Sequence, residues 1–140
     1  MASRDEHLMA AMADLRSRAE HYGDPSLRDG VLTFGDTAMP PPGFPIVSGT
    51  EDAFGCAASI FAATGDGFVR ATTSIHRDGV RVLGTELDPE GPVIGPLRRG
   101  EAYRGPAEIL GVMTDTYYEP ILDGDGAVIG AYYVGVPDEG

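Results

Sequence analysis

Cysteine, basic residues and long apolar runs are all scarce in this 140-residue sequence. Because Cys56 is the one cysteine, no internal disulfide can form, and nothing requires an oxidising compartment. Cys56 opens an apolar run without a neighbouring histidine or cation, which favours a small buried thiol over a nucleophile. Ten basic against 22 acidic residues give a net charge of -12, which argues against nucleic acid or an anionic membrane surface as a partner.

No apolar stretch approaches the roughly 20 residues of a membrane-spanning helix. Residues 1–7 are charged and no apolar segment follows them, so the sequence predicts no signal peptide. We therefore expect no membrane insertion and a soluble chain, cytoplasmic as given and extracytoplasmic if it is an excised receptor domain. The length and the 42% hydrophobic content predict one structural domain with its own core.

Motifs for catalysis, metals and cofactors are missing as well. The three histidines, His7, His21 and His76, lie far apart and have no ligand-spaced carboxylate or cysteine, so we expect no metal site. The Asp123–Asp125 pair is typical of a turn and lacks the further ligands of a calcium loop. No glycine pattern matches a phosphate or dinucleotide loop, and no nucleophile elbow occurs, so we expect no cofactor.

The back half, residues 57–136, consists of short β-rich runs separated by Asp-Gly pairs. These pairs begin at Asp66, Asp78, Asp123 and Asp125, and a fifth begins at Asp29. Asp-Gly is a strong hairpin signal because both residues tolerate the positive φ of a type I′ turn. The pattern therefore predicts an antiparallel sheet built from consecutive hairpins.

The predicted strands cover residues 57–62, 68–75, 80–83, 102–110, 116–122 and 127–136, with a further strand or hairpin in 27–36. Residues 92–99 predict a short helix, 39–43 a rigid proline-rich connector, 44–47 an apolar run, 50–55 a helical turn or loop, and 86–91 a solvated acidic loop. Strict alternation in 68–75 would place Phe68, Arg70, Thr72 and Ser74 on one face. Glycines at 105, 130 and 135 suggest bulges or close approaches to the backbone.

Residues 3–22 predict the long N-terminal helix. Ser3 followed by Glu6 matches a capping box, and Gly23 and Pro25 supply the stop. One apolar stripe runs along it: Leu8, Met12, Leu15, Ala19 and Tyr22. The stripe can pack on its own sheet, which we favour, or on the same helix of a second subunit.

Binding chemistry is better represented than catalysis. Arg70 lies in an apolar and hydroxyl-bearing strand, where an arginine pairs with a buried acid, lies on an exposed face or binds an anionic ligand. From the residues alone, the first two roles are favoured over the third. Five tyrosines lie in the same predicted sheet, and one or two of them lining a pocket would be typical: Tyr103, Tyr117, Tyr118, Tyr132 and Tyr133.

The segments FVRATTSI, DGVRVLGT, YRGPAEILG, YYEPILD and GAVIGAYYVGV, in this order and spacing, resemble the single Cache domains of bacterial chemoreceptors and histidine kinases. The closest variety is the Cache type 3/type 2 fusion, and the resemblance covers roughly residues 8–136. It implies an α+β fold with a PAS-like antiparallel β-sheet of about five to six strands, a long N-terminal helix and short flanking helices. Residues 1–25 would form the helix for packing or dimerisation, and residues 26–140 the ligand-binding domain.

The resemblance also implies a function. Such domains bind short carboxylates or other small metabolites between the sheet and its flanking loops, and commonly form a homodimer through the N-terminal helix. A separate signalling protein would then receive the output. By position, the candidate ligand-binding residues are Arg70, Thr73, Ser74, Tyr103, Thr116 and Tyr118, with Phe61 and Thr85 as weaker candidates.

Three functions remain open at the level of sequence. The leading one is a non-catalytic sensory domain for a small metabolite such as a short organic acid. The second is an interaction or scaffold domain with a vestigial pocket, assembling through the Leu8, Leu15 and Tyr22 stripe. The third is a small isomerase-like or dehydratase-like enzyme, which would need a buried acid/base pair such as Asp115 with His76 or Glu108.

Overall fold

The computed structural model describes residues 3–39, 44–65 and 67–137. Within these ranges the helices are α1 (Arg4–Glu20), α2 (Phe44–Phe54) and α3 (Ile94–Arg98). The strands are β1 (Pro25–Arg28), β2 (Val31–Phe34), β3 (Thr37–Ala38), β4 (Ala57–Thr64), β5 (Gly67–Thr73), β6 (His76–Arg77), β7 (Val80–Arg81), β8 (Tyr103–Ile109), β9 (Val112–Leu122) and β10 (Val128–Pro137). Most of the predicted connector, residues 40–43, lies outside the described residues, as does Asp66.

The main sheet has five antiparallel strands in the order β5-β4-β10-β9-β8. Consecutive hairpins supply the β4–β5, β8–β9 and β9–β10 pairs, and β10 then inserts beside β4 to close the centre of the sheet. The predicted α+β architecture, an antiparallel sheet with a long N-terminal helix, is confirmed.

Asp-Gly turn chemistry explains the β1–β2 and β6–β7 hairpins. Asp29 and Gly30 have φ of 51° and 80°, and Asp78 and Gly79 have φ of 54° and 79°, as a type I′ turn requires. The predicted hairpin turn also forms at Asp123, between β9 and β10, but as an Asx turn in which the Asp123 carboxylate accepts the backbone N–H groups of residues 125 and 127. The β8–β9 turn places Leu110 at a φ of 51°, in the left-handed region of the backbone. A leucine rarely adopts this conformation, so the sequence does not predict the turn.

Helix α1 packs on its own sheet. The Ser3 side chain accepts the Glu6 backbone N–H at 3.1 Å, which is the predicted N-terminal cap. Leu8 and Leu15 are fully buried in a cluster with sheet residues such as Ile60. Leu8 and Leu15 therefore pack within the chain, as favoured from sequence, whereas Tyr22 at the end of the stripe is exposed; a homodimer through α1 stays a prediction.

Residues 44–54 form one continuous helix, although the sequence suggested an apolar run and a separate turn or loop. Pro45 lies in the first turn, where its missing N–H removes no helical hydrogen bond. Ile46 and Val47 are buried in the same cluster as α1. We attribute the continuous helix over residues 44–54 to packing of Ile46 and Val47 against the rest of the domain, rather than to local helix propensity.

A β-bulge between β4 and β5 corrects the predicted faces of residues 68–75. Phe61 pairs with Arg70 while Ile60 pairs with Thr72, so residue 71 is the extra one. Thr73, and not Thr72, therefore lies on the face of Arg70, and its hydroxyl contacts Ser59 at 2.7 Å. A second irregularity falls at Gly130, where the sequence had suggested one.

The two faces of the sheet carry separate apolar clusters. One cluster lies under α1, α2 and the β1–β3 sheet. The other contains Phe61, Tyr118 and Tyr133 from the sheet and is covered by α3 and the segment before it. This second face, opposite α1, holds the candidate site.

Candidate ligand-binding site

A cavity of about 440 Å³ lies on the sheet face opposite α1. Arg70 and Tyr118 of the sheet line it together with the loop before α3, strand β8 and the β8–β9 turn. Its apolar lining includes Leu87, Val93, Ala107, Ile109, Leu110 and Met113, and its acidic lining residues are Glu86, Asp88 and Glu108. The volume falls within the range of small-molecule sites.

Arg70 is a buried cation, with 3% of its surface exposed. Its Nε donates to Ser59 Oγ at 3.2 Å and its Nη1 to Thr85 Oγ1 at 2.9 Å. The guanidinium carbon lies 4.7 Å from the centre of the Phe61 ring. In the described residues no carboxylate pairs with Arg70, so neither of the two roles favoured from sequence, pairing with a buried acid or lying on an exposed face, applies.

Burial lowers the pKa of Arg70, because a low-dielectric setting disfavours its charged form. An arginine nonetheless stays protonated in a protein. The hydroxyl partners and the aromatic ring orient the guanidinium without neutralising it. The result is a fixed positive charge at the wall of an open cavity.

Tyr118 supplies a second hydrogen-bond donor that has no protein partner among the described residues. Its side chain is fully buried and lines the cavity, and its hydroxyl has no hydrogen-bond partner among the described residues. Burial raises the pKa of Tyr118, so the hydroxyl keeps its proton and can donate. Since buried polar groups are nearly always paired, an unpaired hydroxyl beside a cavity suggests a group that a ligand would satisfy.

The sequence profile of the Cache 3/Cache 2 fusion domain matches residues 7–140. The chain belongs to this family. The resemblance inferred from the strand motifs is thereby confirmed.

The fold of this Cache domain is similar to the crystal structure of the ligand-binding domain of the Campylobacter jejuni chemoreceptor Tlp3 in complex with L-valine. The TM-score is 0.56 at 15% sequence identity, over 95% of this chain and 53% of that chain. The Cache domain thus spans about half the length of that receptor domain, and its predicted PAS-like fold is confirmed. A search among curated proteins finds no match.

Several predicted site residues support Arg70 without lining the cavity. Phe61 stacks on the guanidinium, and Thr85 accepts its hydrogen bond while donating to the Val82 carbonyl. Thr73 reaches Arg70 through Ser59. Ser59 itself was missed, because only the register around the bulge shows that it faces the arginine.

Three other predicted residues bind the backbone instead of facing the cavity. Ser74 Oγ accepts the Ala58 N–H at 2.9 Å. The Tyr103 hydroxyl donates to the Pro106 carbonyl at 2.6 Å, and the Thr116 hydroxyl to the Gly105 carbonyl at 2.7 Å. None of the three lines the Arg70 cavity, but their hydrogen bonds to the backbone stabilise strands near it.

The acid/base pair required by the enzyme hypothesis does not form. Asp115 is bound by Arg104 and, at 3.3 Å, by Arg4 of α1. The hydrogen bond from Arg104 is the main reason that the pKa of Asp115 is lowered. His76 and Glu108 are both exposed, so the buried pair proposed from sequence is wrong.

Two further searches cover the part of the chain that the structure describes. No group of three or more histidine, cysteine or acidic side chains is placed to hold a metal ion there. None of the helices found there is both long enough and apolar enough to cross a membrane.

The apolar walls of the cavity were also missed. Leu87, Val93 and Ile109 line it, yet they come from three different elements: a loop, the start of α3 and an edge strand. Their only sequence signal is apolar character beside turn residues. Tyr133 was named only as a general aromatic, although its ring lies 5.0 Å from that of Tyr118.

Proposed function

We propose that this Cache domain is a non-catalytic sensory domain that binds a small carboxylate-bearing metabolite in the Arg70 cavity. The observation that carries the proposal is a buried guanidinium with no carboxylate partner among the described residues. Burying an unpaired charge costs several kcal/mol, roughly, so such a group is normally paired. A ligand carboxylate would supply the missing partner.

The donors that remain free fit one carboxylate. Ser59 and Thr85 each occupy one N–H of Arg70, which leaves three of its five donors, including both on Nη2. The Tyr118 hydroxyl is a further donor at the same cavity. Because Ser59, Thr85 and the Phe61 ring already hold the guanidinium, little side-chain entropy would be lost on binding.

The Tlp3 ligand-binding domain, which is similar in fold, was crystallised with L-valine, a small molecule that carries a carboxylate. That likeness supports the class of ligand and the sensory role.

A thermal-shift screen of mono-, di- and tricarboxylates, amino acids and purines tests the proposal. We expect a carboxylate to raise the melting temperature, since a ligand that binds only the folded state stabilises it. Tyr118→Phe should then weaken that ligand by about tenfold, measured by calorimetry, through the loss of one charge-assisted hydrogen bond. The unfolding free energy of the unliganded protein should not fall, because the hydroxyl has no partner to lose.

Tyr117→Phe is the matched control, because it removes a hydroxyl that donates to Glu119 on the α1 side of the sheet, away from the cavity. It should leave ligand affinity unchanged. If Tyr118→Phe and Arg70→Met both bind the carboxylate as tightly as the parent protein, the Arg70 site is rejected.

A further inference from the structure

We infer that the ligand is a monocarboxylate with an apolar body and no charged nitrogen. This deepens the proposed function and rests on it. The first step is a count of charges: among the described lining residues, Arg70 is the one cation. A single guanidinium with one open edge matches a single carboxylate.

A second carboxylate on the ligand finds no second cation among the described lining residues. The other charged groups lining the cavity are Glu86, Asp88 and Glu108, all acidic and all exposed. A dicarboxylate held by Arg70 would direct its second negative charge toward groups of the same sign. Like-charge juxtaposition of this kind selects against a ligand even where its first carboxylate fits.

An α-ammonium group is disfavoured for a different reason. In an α-amino acid the ammonium lies next to the carboxylate, so a carboxylate on Arg70 brings the ammonium close to the guanidinium. The groups around Arg70 there are the hydroxyls of Ser59 and Thr85 and the aromatic rings. The ammonium would lie beside a like-charged guanidinium, and among the described residues no carboxylate contacts Arg70 to pair with it there.

The remaining wall is apolar. Leu87, Val93 and Ile109 are 7%, 3% and 8% exposed and line the cavity together with Leu110 and Met113. Water occupies about 30 Å³ per molecule in the liquid, so about 440 Å³ holds far more than a two-carbon acid. An aliphatic or aromatic body of several carbons would fill this space and bury its apolar surface.

Calorimetry with matched ligands tests the inference. We expect 4-methylpentanoate to bind at least tenfold more tightly than L-leucine, which has the same skeleton plus an α-ammonium, and than the dicarboxylate glutarate. Along butyrate, hexanoate and octanoate the affinity should rise by up to about fourfold per methylene until the cavity is full.

A wall variant checks where the apolar body lies. Leu87→Ala should weaken hexanoate by several-fold and reduce the gain per methylene. Leu122→Ala, on an exposed β9 residue that does not line the cavity, should change neither. If Leu87→Ala binds the whole series as the parent protein does, the apolar body does not lie on this wall and the inference is wrong.

The possible failures are distinguishable. If L-leucine or glutarate binds as tightly as 4-methylpentanoate and Arg70→Met abolishes that binding, the inference is overturned while the proposed function holds. If the affinity does not change from butyrate to hexanoate and octanoate, the inference that the ligand has an apolar body is also wrong. If no carboxylate binds, or if binding survives Arg70→Met, the proposed function fails and the inference with it.

Discussion

Glycines on β10 set how closely the sheet packs around Arg70. A Cβ at Gly130 would overlap the backbone carbonyl oxygen of Phe61, the residue whose ring stacks on Arg70. A Cβ at Gly135 would lie 2.7 Å from Cζ of the Tyr133 ring. The absence of a side chain at these two positions therefore permits the close approach of the groups that surround the site.

Gly130→Ala should lower the free energy of unfolding by about 1–3 kcal/mol, because the overlapped atom belongs to the backbone and cannot rotate away. Urea denaturation followed by circular dichroism measures the change. Gly124→Ala is the control, since a Cβ there meets nothing within 4 Å. Equal stability of the two variants would show that β4 and β10 are not packed this closely.

Asp115 predicts an acid-dependent loss of stability. Its folded pKa is lowered, mainly by the Arg104 hydrogen bond, so its contribution is present above the unfolded pKa of about 4 and disappears as pH falls through the folded value. Asp115→Asn should be less stable than the parent protein at pH 7, and the two should converge as the pH falls through the lowered folded pKa. Urea melts across this range measure both.

The control for the Asp115 prediction is Asp36→Asn, because the Asp36 side chain is fully exposed and contacts Arg28 at 3.6 Å. Exposed ion pairs contribute little, so its stability should match that of the parent at every pH. An unchanged difference between Asp115→Asn and the parent from pH 7 to pH 3 would contradict the lowered pKa.

At the level of elements, helix α1 contacts the sheet through both apolar packing and ion pairs. Its apolar stripe is buried against strands β4 and β10, and Arg4 and Asp5 in its first turn bind Asp115 and Arg104 of β9 and β8. Strand β8 also supplies residues 106–109 to the cavity wall. Strand β8 therefore contacts both helix α1 and the candidate site.

Leu15→Ala should destabilise the domain by about 2–5 kcal/mol, because it leaves a cavity at a fully buried position. Met9→Ala, on the exposed side of α1, should stay within about 0.5 kcal/mol. Thermal or urea unfolding separates the two. If the midpoint of Leu15→Ala alone recovers at higher protein concentration, Leu15 contributes to a subunit interface and not to the core.

For the whole molecule, the net charge of -12 acts on any anionic ligand before it reaches Arg70. Repulsion of this kind extends over about 30 Å at 0.01 M salt and about 8 Å at 0.15 M. The contact between Arg70 and a carboxylate is buried and is screened much less. The global field and the local site therefore respond differently to salt.

The affinity for 4-methylpentanoate should consequently rise by roughly two- to fivefold between about 0.01 M and 0.15 M salt, measured by calorimetry. The neutral amide of the same acid is the control and should show no such dependence. A fall in affinity with salt would mean that the potential at the cavity mouth is positive.

Local chemistry made much of the fold predictable. The Ser3 cap, the apolar period of α1 and the Asp29 and Asp78 turns act over a few residues, so their outcomes can be derived without knowledge of the rest of the chain. The Leu110 turn and the continuous α2 could not be derived in this way. Packing of neighbouring elements overrides weak local preference at both places.

The candidate site was predictable only in part. Arg70 and Tyr118 were named from strand motifs and do line the cavity, whereas Ser74, Tyr103 and Thr116 bind the backbone. The division into residues 1–25 and 26–140 also remains a prediction.

By itself the sequence determined the acidic charge, the class of fold and the presence of an arginine within an otherwise uncharged strand. Only the tertiary structure decided that Arg70 is buried, lacks a carboxylate partner among the described residues and faces a cavity. The physical reason is that one extra residue in a bulge reverses which side chains share a face, and that the cavity walls come from segments far apart in the chain.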